Sequence, residues 1–351
     1  MTETTIPHSP NAYASTRPPH FTVRTSIAEY SMDRQRNMHL GRMHAKYLYE
    51  QAFRLKDVNF DLNRGHGTFE DKENENEGIT VMLEWINANY PNGGSLRKAL
   101  HETEFFCWRG LLTKIATTPY ATKDAWAFRA IRRKGVIFLC QFETEAERQR
   151  KENMSARDKL MTYWGYSFES YMTIDEPGTE PSTSSVVSRR EEFATVCRGD
   201  LTAPDGSRLR LLYSAEIDAI DHAGGLVEMK TQRGELEGGF WRWKAPKWWM
   251  QSFLVGIKQI VVGHRNDNGY VRKLSCVNLD DLKASKQAQW RPEVMLALLS
   301  KVLHTIRISL LKEDDACIVE FQPDRGITLK KVMPDKEDFG FIDVVDLSKF
   351  H

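Results

Sequence analysis

Apolar positions along this chain fall into two kinds of block. In the first they run on or alternate. "KGVIFLCQF" (Lys134–Phe142) is a β-rich apolar run that predicts a buried strand. Two apolar runs within Leu211–Thr231 flank Asp221–Gly225 and predict a hairpin with a short Gly-containing turn. "IVVGHRNDNGYVRKLSCV" predicts a second hairpin turning at Asn266–Gly269, and "CIVEF" and "ITLKKV" close the sheet region. In the second kind the spacing is helical. Ile79–Asn89 is helix-like, and Arg157–Met172 has apolar residues at 160, 161, 164, 168, 171 and 172. Lys247–Ile257 aligns Trp249, Phe253 and Ile257 on one stripe, and Pro292–Lys312 aligns Met295, Leu299, Val302, Ile306 and Leu310 for packing.

Clustered strands and separate helices indicate an α+β fold, with no internal repeat and no clear central linker. "EDKENENEG" (Glu70–Gly78) reads as an acidic loop, and "EPGTEPSTSS" (Glu176–Ser185) as a mobile low-complexity connector. Residues 1–22 are expected to form a disordered leader or an added arm, and 23–351 a single catalytic domain.

Composition narrows the picture only a little. The 351 residues are 41% hydrophobic and 28% charged, as in ordinary globular chains. Lys+Arg (49) nearly cancels Asp+Glu (48), so any attraction to phosphate must come from a local patch. The five cysteines (107, 140, 197, 276 and 317) form no CxxC pair, which argues against zinc and against a disulfide framework. A reducing compartment, nucleus or cytoplasm, fits this usage. No apolar run approaches the roughly 18 residues of a membrane span, and the leader lacks the apolar core of a secretory signal.

The first hairpin carries the candidate chemistry. If Ile220 pairs with Leu226, Asp218 stands opposite Glu228 and Glu216 opposite Lys230. Like charges facing across a hairpin destabilise it, and a divalent cation would compensate. Asp218 followed by Glu228-Met229-Lys230 is the D…ExK arrangement of metal-dependent phosphodiesterases, whose acids bind Mg²⁺ or Mn²⁺. On spacing alone a solvated hairpin face is the commoner reading, because acids ten residues apart recur by chance in any charged chain.

The company of the hairpin changes that balance. In chain order stand Trp108-Arg109-Gly110, Gly165-Tyr166-Ser167-Phe168-Glu169, Glu216-Ile217-Asp218, Glu228-Met229-Lys230-Thr231 and Trp248 to Leu254. These five motifs resemble, in order, those of the DXO family of eukaryotic RNA 5′-end processing enzymes. The resemblance runs from about Phe60 to about Val277, with a looser C-terminal third. It implies two packed mixed β-sheets with helices outside, a D…ExK nuclease-like core, and an active site between the sheets.

By this resemblance Glu169, Glu216, Asp218, Glu228 and the Met229 carbonyl would hold divalent metal, expected as two Mg²⁺ or Mn²⁺ ions. Glu216, Lys230 and Gln251 would form the catalytic group, with Lys230 and Gln251 positioning water or the scissile phosphate. Arg109 would grip the 5′ phosphate with its planar donor fork. The implied activity is metal-dependent hydrolysis at RNA 5′ ends: removal of unmethylated or incompletely methylated caps and of NAD or FAD caps, release of pyrophosphate from 5′ triphosphates, and 5′→3′ exonuclease digestion. The expected partner is the 5′ end of RNA, not a membrane, and the chain is expected to be a monomer.

The chain departs from the family before Trp248. "FWRWKAPKWW" places Pro246 where a helical hydrogen bond would be lost, so that helix is expected to start near Pro246, leaving the direction of Lys244 open. Trp241, Trp243, Trp248 and Trp249 read either as core or as a stacking platform, with core the commoner outcome. Arg132–Lys134 and Ser188–Arg190 read as solvated charges or as walls of an RNA path. His66, His222 and His264 receive no role. Two other functions stay open: a non-catalytic RNA-binding protein or exoribonuclease partner of the same fold, as some fungal relatives are, and a D…ExK DNA nuclease.

Overall fold

In the computed structural model, residues 3–72, 78–344 and 346–351 are described. Two mixed sheets form the frame, as the α+β reading expects. Among the described residues the larger has ten strands. In spatial order they are β1 (Glu3–Ile6), β17 (Gly326–Val332), β16 (Ala316–Gln322), β7 (Trp126–Arg133), β8 (Val136–Phe142), β6 (Phe105–Trp108), β11 (Arg208–Glu216), β10 (Glu192–Thr202), β2 (Phe21–Met32) and β3 (Met38–Leu40). The smaller has seven: β5 (Phe60–Asp61), β15 (Tyr270–Asn278), β14 (Gln259–Arg265), β13 (Leu226–Arg233), β12 (Ala219–Ile220), β4 (Tyr47–Leu48) and β9 (Thr173–Ile174). Most neighbours are antiparallel. β6 runs parallel to both β8 and β11, β13 runs parallel to β14, and β12 runs parallel to β4.

The helices that matter to the site are α1 (Thr80–Asn89), α2 (Arg109–Thr117), α3 (Ala156–Met172), α4 (Gly239–Trp243), α5 (Ala245–Val255) and α6 (Pro292–Ser309). The β8 sequence is apolar throughout because both of its faces are covered. Ile137 and Leu139 enter one core with α2, α5 and α6, while Val136, Phe138 and Cys140 enter another beneath α1. β14 repeats the pattern in the smaller sheet. Ile260 and Val262 join the first core, and Val261 meets Tyr163, Trp164 and Phe168 of α3 in a third. The first core therefore belongs to both sheets and fastens them together.

Several expectations need correction. The leader is not disordered over its described length: β1 pairs with β17 along the sheet edge, and Ile6 and Tyr13 are buried. Backbone pairing at an open edge needs no apolar alternation, so the leader's pattern does not show it. The hairpin register holds at Ile220↔Leu226 and Ala219↔Val227, then the ladder stops. Glu216 instead ends β11 in the larger sheet, opposite Ala194, so it does not face Lys230 across the hairpin. The apolar run Leu211–Ala215 finds partners in β10 and β6, and Ile217 N–H still bonds Phe193 O at 2.9 Å. The chain changes sheet at Ile217–Asp218.

Pro246 sits in the first turn of α5, as expected, and Lys244 donates from Nζ to Gln232 Oε1 at 2.9 Å. Of the acidic loop, residues 73–77 lie outside the described residues. The second hairpin turns at Gly269, whose φ of +80° suits glycine and whose missing Cβ leaves room for the Trp164 ring.

Gly263 of β14 is a second close approach. A Cβ there would stand 2.5 Å from Phe168 Cε2, and Phe168 is fully buried beside Glu169. Gly263→Ala should cost about 1–3 kcal/mol by overpacking. It should also lower activity by displacing α3, which urea melting and a turnover assay would show together.

Candidate active site

The candidate residues are delivered by six separate parts of the chain. In α3 the stripe Tyr163, Trp164, Phe168 and Met172 is buried, which leaves Glu169 at its border, facing the cleft. Glu216 is the last residue of β11, and Asp218 lies in the link that crosses to the smaller sheet. Glu228 and Lys230 share one face of β13, as period-two alternation requires, while Met229 points into the third core. Arg109 opens α2 directly after β6, and Gln251 lies on α5. The structure brings all of these positions around one region between the sheets.

The charges there are unevenly balanced. Lys230 Nζ bonds Glu228 Oε1, and Arg109 Nη1 lies 3.5 Å from Glu228 Oε2. Glu228 is 3% exposed. Burial would raise its pKa, but Lys230 and Arg109 hold it below the usual carboxylate range. Burial likewise opposes the Lys230 charge, yet Glu228 and Asp218 lift that ammonium above its ordinary value. Asp218 has no such pair. Burial, then repulsion from Glu228, pushes it up to about 7, against Lys230 and a 2.6 Å hydrogen bond from Met229 N–H. Glu169 is raised well above its ordinary value by burial and by Asp218 and Glu216. Two protein cations thus serve Glu228, while Asp218 and Glu169 are short of positive charge.

That donor chemistry fits a hard divalent cation: carboxylate oxygens, with no thiolate or imidazole among the candidates. Among the described residues, no three His, Cys, Asp or Glu side chains already stand in a ligating group. Glu228 is turned to its cations and Asp218 to the Met229 amide.

Two cavities meet over the acids. One, of about 700 Å³, is lined by Arg109, Gly110, Lys114, Glu192, Glu216 and Gln251 among others. The other, of about 510 Å³, includes Tyr166, Glu169, Glu192, Glu216 and Asp218. Glu192 and Glu216 line both, so the cavities share a wall at the ends of β10 and β11. The first turn of α2 faces the larger cavity, and its N-cap residue, Trp108, supplies no side-chain cap. Such a helix start favours an anion.

Glu192 was not among the candidates. It is ion-paired with Arg36 at 3.2 Å and with Lys72. No spacing motif marks it; only the Ala194↔Glu216 pairing brings it to the cleft. Of the four tryptophans, Trp248 and Trp249 are core, Trp241 packs against it, and Trp243 is exposed. The basic runs are engaged: Arg133 with Asp314, Arg132 with Leu310 O, and Arg189 with Asp71. His264 is a buried structural residue between Gly234 O and Ser275 Oγ, both at 2.7 Å.

Comparison with known proteins places this geometry. The family described as RAI1 like PD-(D/E)XK nuclease matches residues 24–343. The chain is 38% identical to the decapping nuclease dom-3 of Caenorhabditis elegans over 348 residues, covering 96% of this chain and 88% of that protein. Crystal structures of Rai1 share the fold. That of Candida albicans, in complex with pU5-Mn²⁺, has a TM-score of 0.76 at 18% identity, covering 98% of this chain and 99% of that one. That of Scheffersomyces stipitis, in complex with (3′-NADP)⁺ and calcium ion, also has a TM-score of 0.76 at 18% identity, covering 96% and 93%. The DXO-type resemblance read from the motifs is borne out. The chain belongs to the RAI1-like PD-(D/E)XK nuclease family of decapping nucleases, and it is a hydrolase.

Proposed function

We propose that the chain hydrolyses phosphoanhydride and phosphodiester bonds at RNA 5′ ends. It would remove incompletely methylated caps and NAD or FAD caps, release pyrophosphate from 5′ triphosphates, and digest 5′→3′ from a monophosphate. The observation that carries this reading is the set of under-neutralised buried acids beside Arg109 and an open helix start, all on one cleft. The decapping activity in the name of its nematode relative supports it, as do the pU5, NADP, manganese and calcium in the fungal Rai1 structures.

In this reading Glu169, Glu216, Asp218, Glu228 and the Met229 carbonyl hold one or two Mg²⁺ or Mn²⁺ ions. A bound ion supplies the missing positive charge, lowers the pKa of a water and offsets charge on phosphate oxygens. The chain's own residues do the rest. Arg109 and the first-turn N–H groups of α2 bind the 5′ phosphate. Lys230, held toward the acids by Glu228, donates to the phosphate oxygens as negative charge grows on them. The Gln251 carboxamide orients water or the scissile phosphate from the α5 side of the cleft. Hydrolysis of a panel of 5′ ends (GpppN, m⁷GpppN, NAD, FAD, triphosphate, monophosphate) in Mg²⁺ and Mn²⁺, beside duplex DNA, tests the reading. Cleavage of DNA alone would overturn it.

Metal should stabilise the protein as well as activate it. A ligand at a hundredfold excess over Kd adds about 2.7 kcal/mol. The wild type should therefore melt higher in Mn²⁺ or Mg²⁺ than in chelator, and Asp218→Asn should lose most of that rise together with hydrolysis. Rescue of chelated enzyme by zinc alone would exclude these acids as the site.

The same acids predict a pH effect on the metal-free protein. A carboxyl whose pKa is raised by folding favours the fold most below its unfolded value of 3.8, and this contribution fades as pH rises through about 7. In chelator, Asp218 should therefore cost the wild type stability between about pH 4 and pH 7. Urea midpoints across that window should fall less steeply for Asp218→Asn.

Arg109→Ala should raise KM for 5′-phosphorylated ends more than it weakens metal binding, because Lys230 still holds Glu228. Unchanged KM and kcat on every 5′ end would remove Arg109 from the site.

A further inference from the structure

Beside the main cleft lies a third cavity, of about 390 Å³, within the range that small ligands occupy. It shares Gly110, Lys114 and Gln251 with the cleft and adds Trp243 and Lys247. Lys247 and Gln251 stand four residues apart on α5, about 6 Å along the axis, and both line this cavity.

The two added residues are unlike their neighbours. Trp243 is 53% exposed, whereas Trp248 and Trp249 of the same segment are buried. The Arg242 guanidinium lies 4.5 Å from its ring centre, which leaves a large apolar surface beside a cation. The other cations on this wall are paired: Lys114 with Glu147 at 3.2 Å, and Arg150 with Asp124 at 3.1 Å. Lys247 has no hydrogen bond or ion pair among the described residues. Burial first, then Lys230, Lys114 and Arg109, hold its ammonium below the usual lysine range, with Asp124 opposing. Lys247 nonetheless lies exposed on the cavity wall, so its ammonium is open to an anion that enters the cavity.

We propose that this side cavity is a nucleotide subsite, in which Lys247 holds a phosphate and Trp243 offers its indole to the base. Stacking on an aromatic ring tolerates every base, so the subsite recognises a nucleoside phosphate and not a sequence. The proposal rests on the RNA 5′-end reading of the neighbouring cleft and adds the place where the next nucleotide sits. Two sources offer this chemistry: the RNA body or the cap nucleotide.

The test titrates labelled 5′-monophosphate RNAs of increasing length, and one of those RNAs with and without an NAD cap, in chelator. The proteins are the wild type, Trp243→Ala, Trp243→Phe, Lys247→Ala and Lys247→Arg, each checked by melting. The same RNAs are then turned over in Mn²⁺. Trp243→Ala should weaken binding about tenfold where the subsite is filled, with KM rising more than kcat falls, and Trp243→Phe should restore it. Lys247→Ala should lower the slope of log affinity against log salt by about 0.7, and Lys247→Arg should recover it. A loss that grows with RNA length assigns the cavity to the body, and one that appears only with the cap assigns it to the cap nucleotide; both support the subsite. Variants that match a wild type active on RNA in both arms would overturn the subsite alone. A wild type that neither binds nor cleaves these RNAs would overturn the 5′-end reading and the subsite with it.

Discussion

The hydrogen bond from Met229 N–H to Asp218 Oδ2, 2.6 Å long, marks the point on which the architecture turns. There the chain leaves the larger sheet and enters the smaller one within two residues, Ile217 and Asp218. On one side Ile217 N–H is still bonded to Phe193 of β10, and on the other Asp218 already answers a β13 amide. A carboxylate at a crossing between sheets satisfies a backbone donor that a two-residue ladder leaves over. The same crossing places Glu216 at the end of one sheet and Glu228 within the other, so the acids meet only because the sheets do.

The electrostatics follow from that meeting. Buried like charges repel strongly, since the interior screens them less than water does. Arg109 and Lys230 relieve Glu228, and removing either would leave a buried charge less compensated, the costly side of a buried ion pair. Asp218 and Glu169 have no equal relief, and their raised pKa values record the deficit. A cation placed among these acids would relieve that repulsion. The shared core of Ile260, Val262, Leu139 and Trp249 holds the sheets so that the acids cannot drift apart.

Much of the site was legible before any coordinates. The alternation in Leu226–Arg233 puts Glu228 and Lys230 on one face, the helical stripe of Arg157–Met172 sets Glu169 beside its buried residues, and Pro246 starts its helix. These are consequences of local periodicity, which a few neighbouring residues are enough to specify. The motif order then identified the family, and hence the two-sheet frame.

What local pattern could not decide was which distant strand each strand would choose. The hairpin register extended back to Glu216 failed because β11 pairs with β10 and β6 instead, and side-chain alternation is blind to the identity of the partner. For the same reason the leader's pairing with β17, the approach of Arg109 to Glu228 and the arrival of Glu192 at the cleft wall appear only in three dimensions. Which of four tryptophans stays exposed was also settled by packing, because composition does not say which ring the core has room for. The sequence by itself determined the residues, their faces and the family. The tertiary structure decided their neighbours, because non-local pairing and burial are properties of the whole chain.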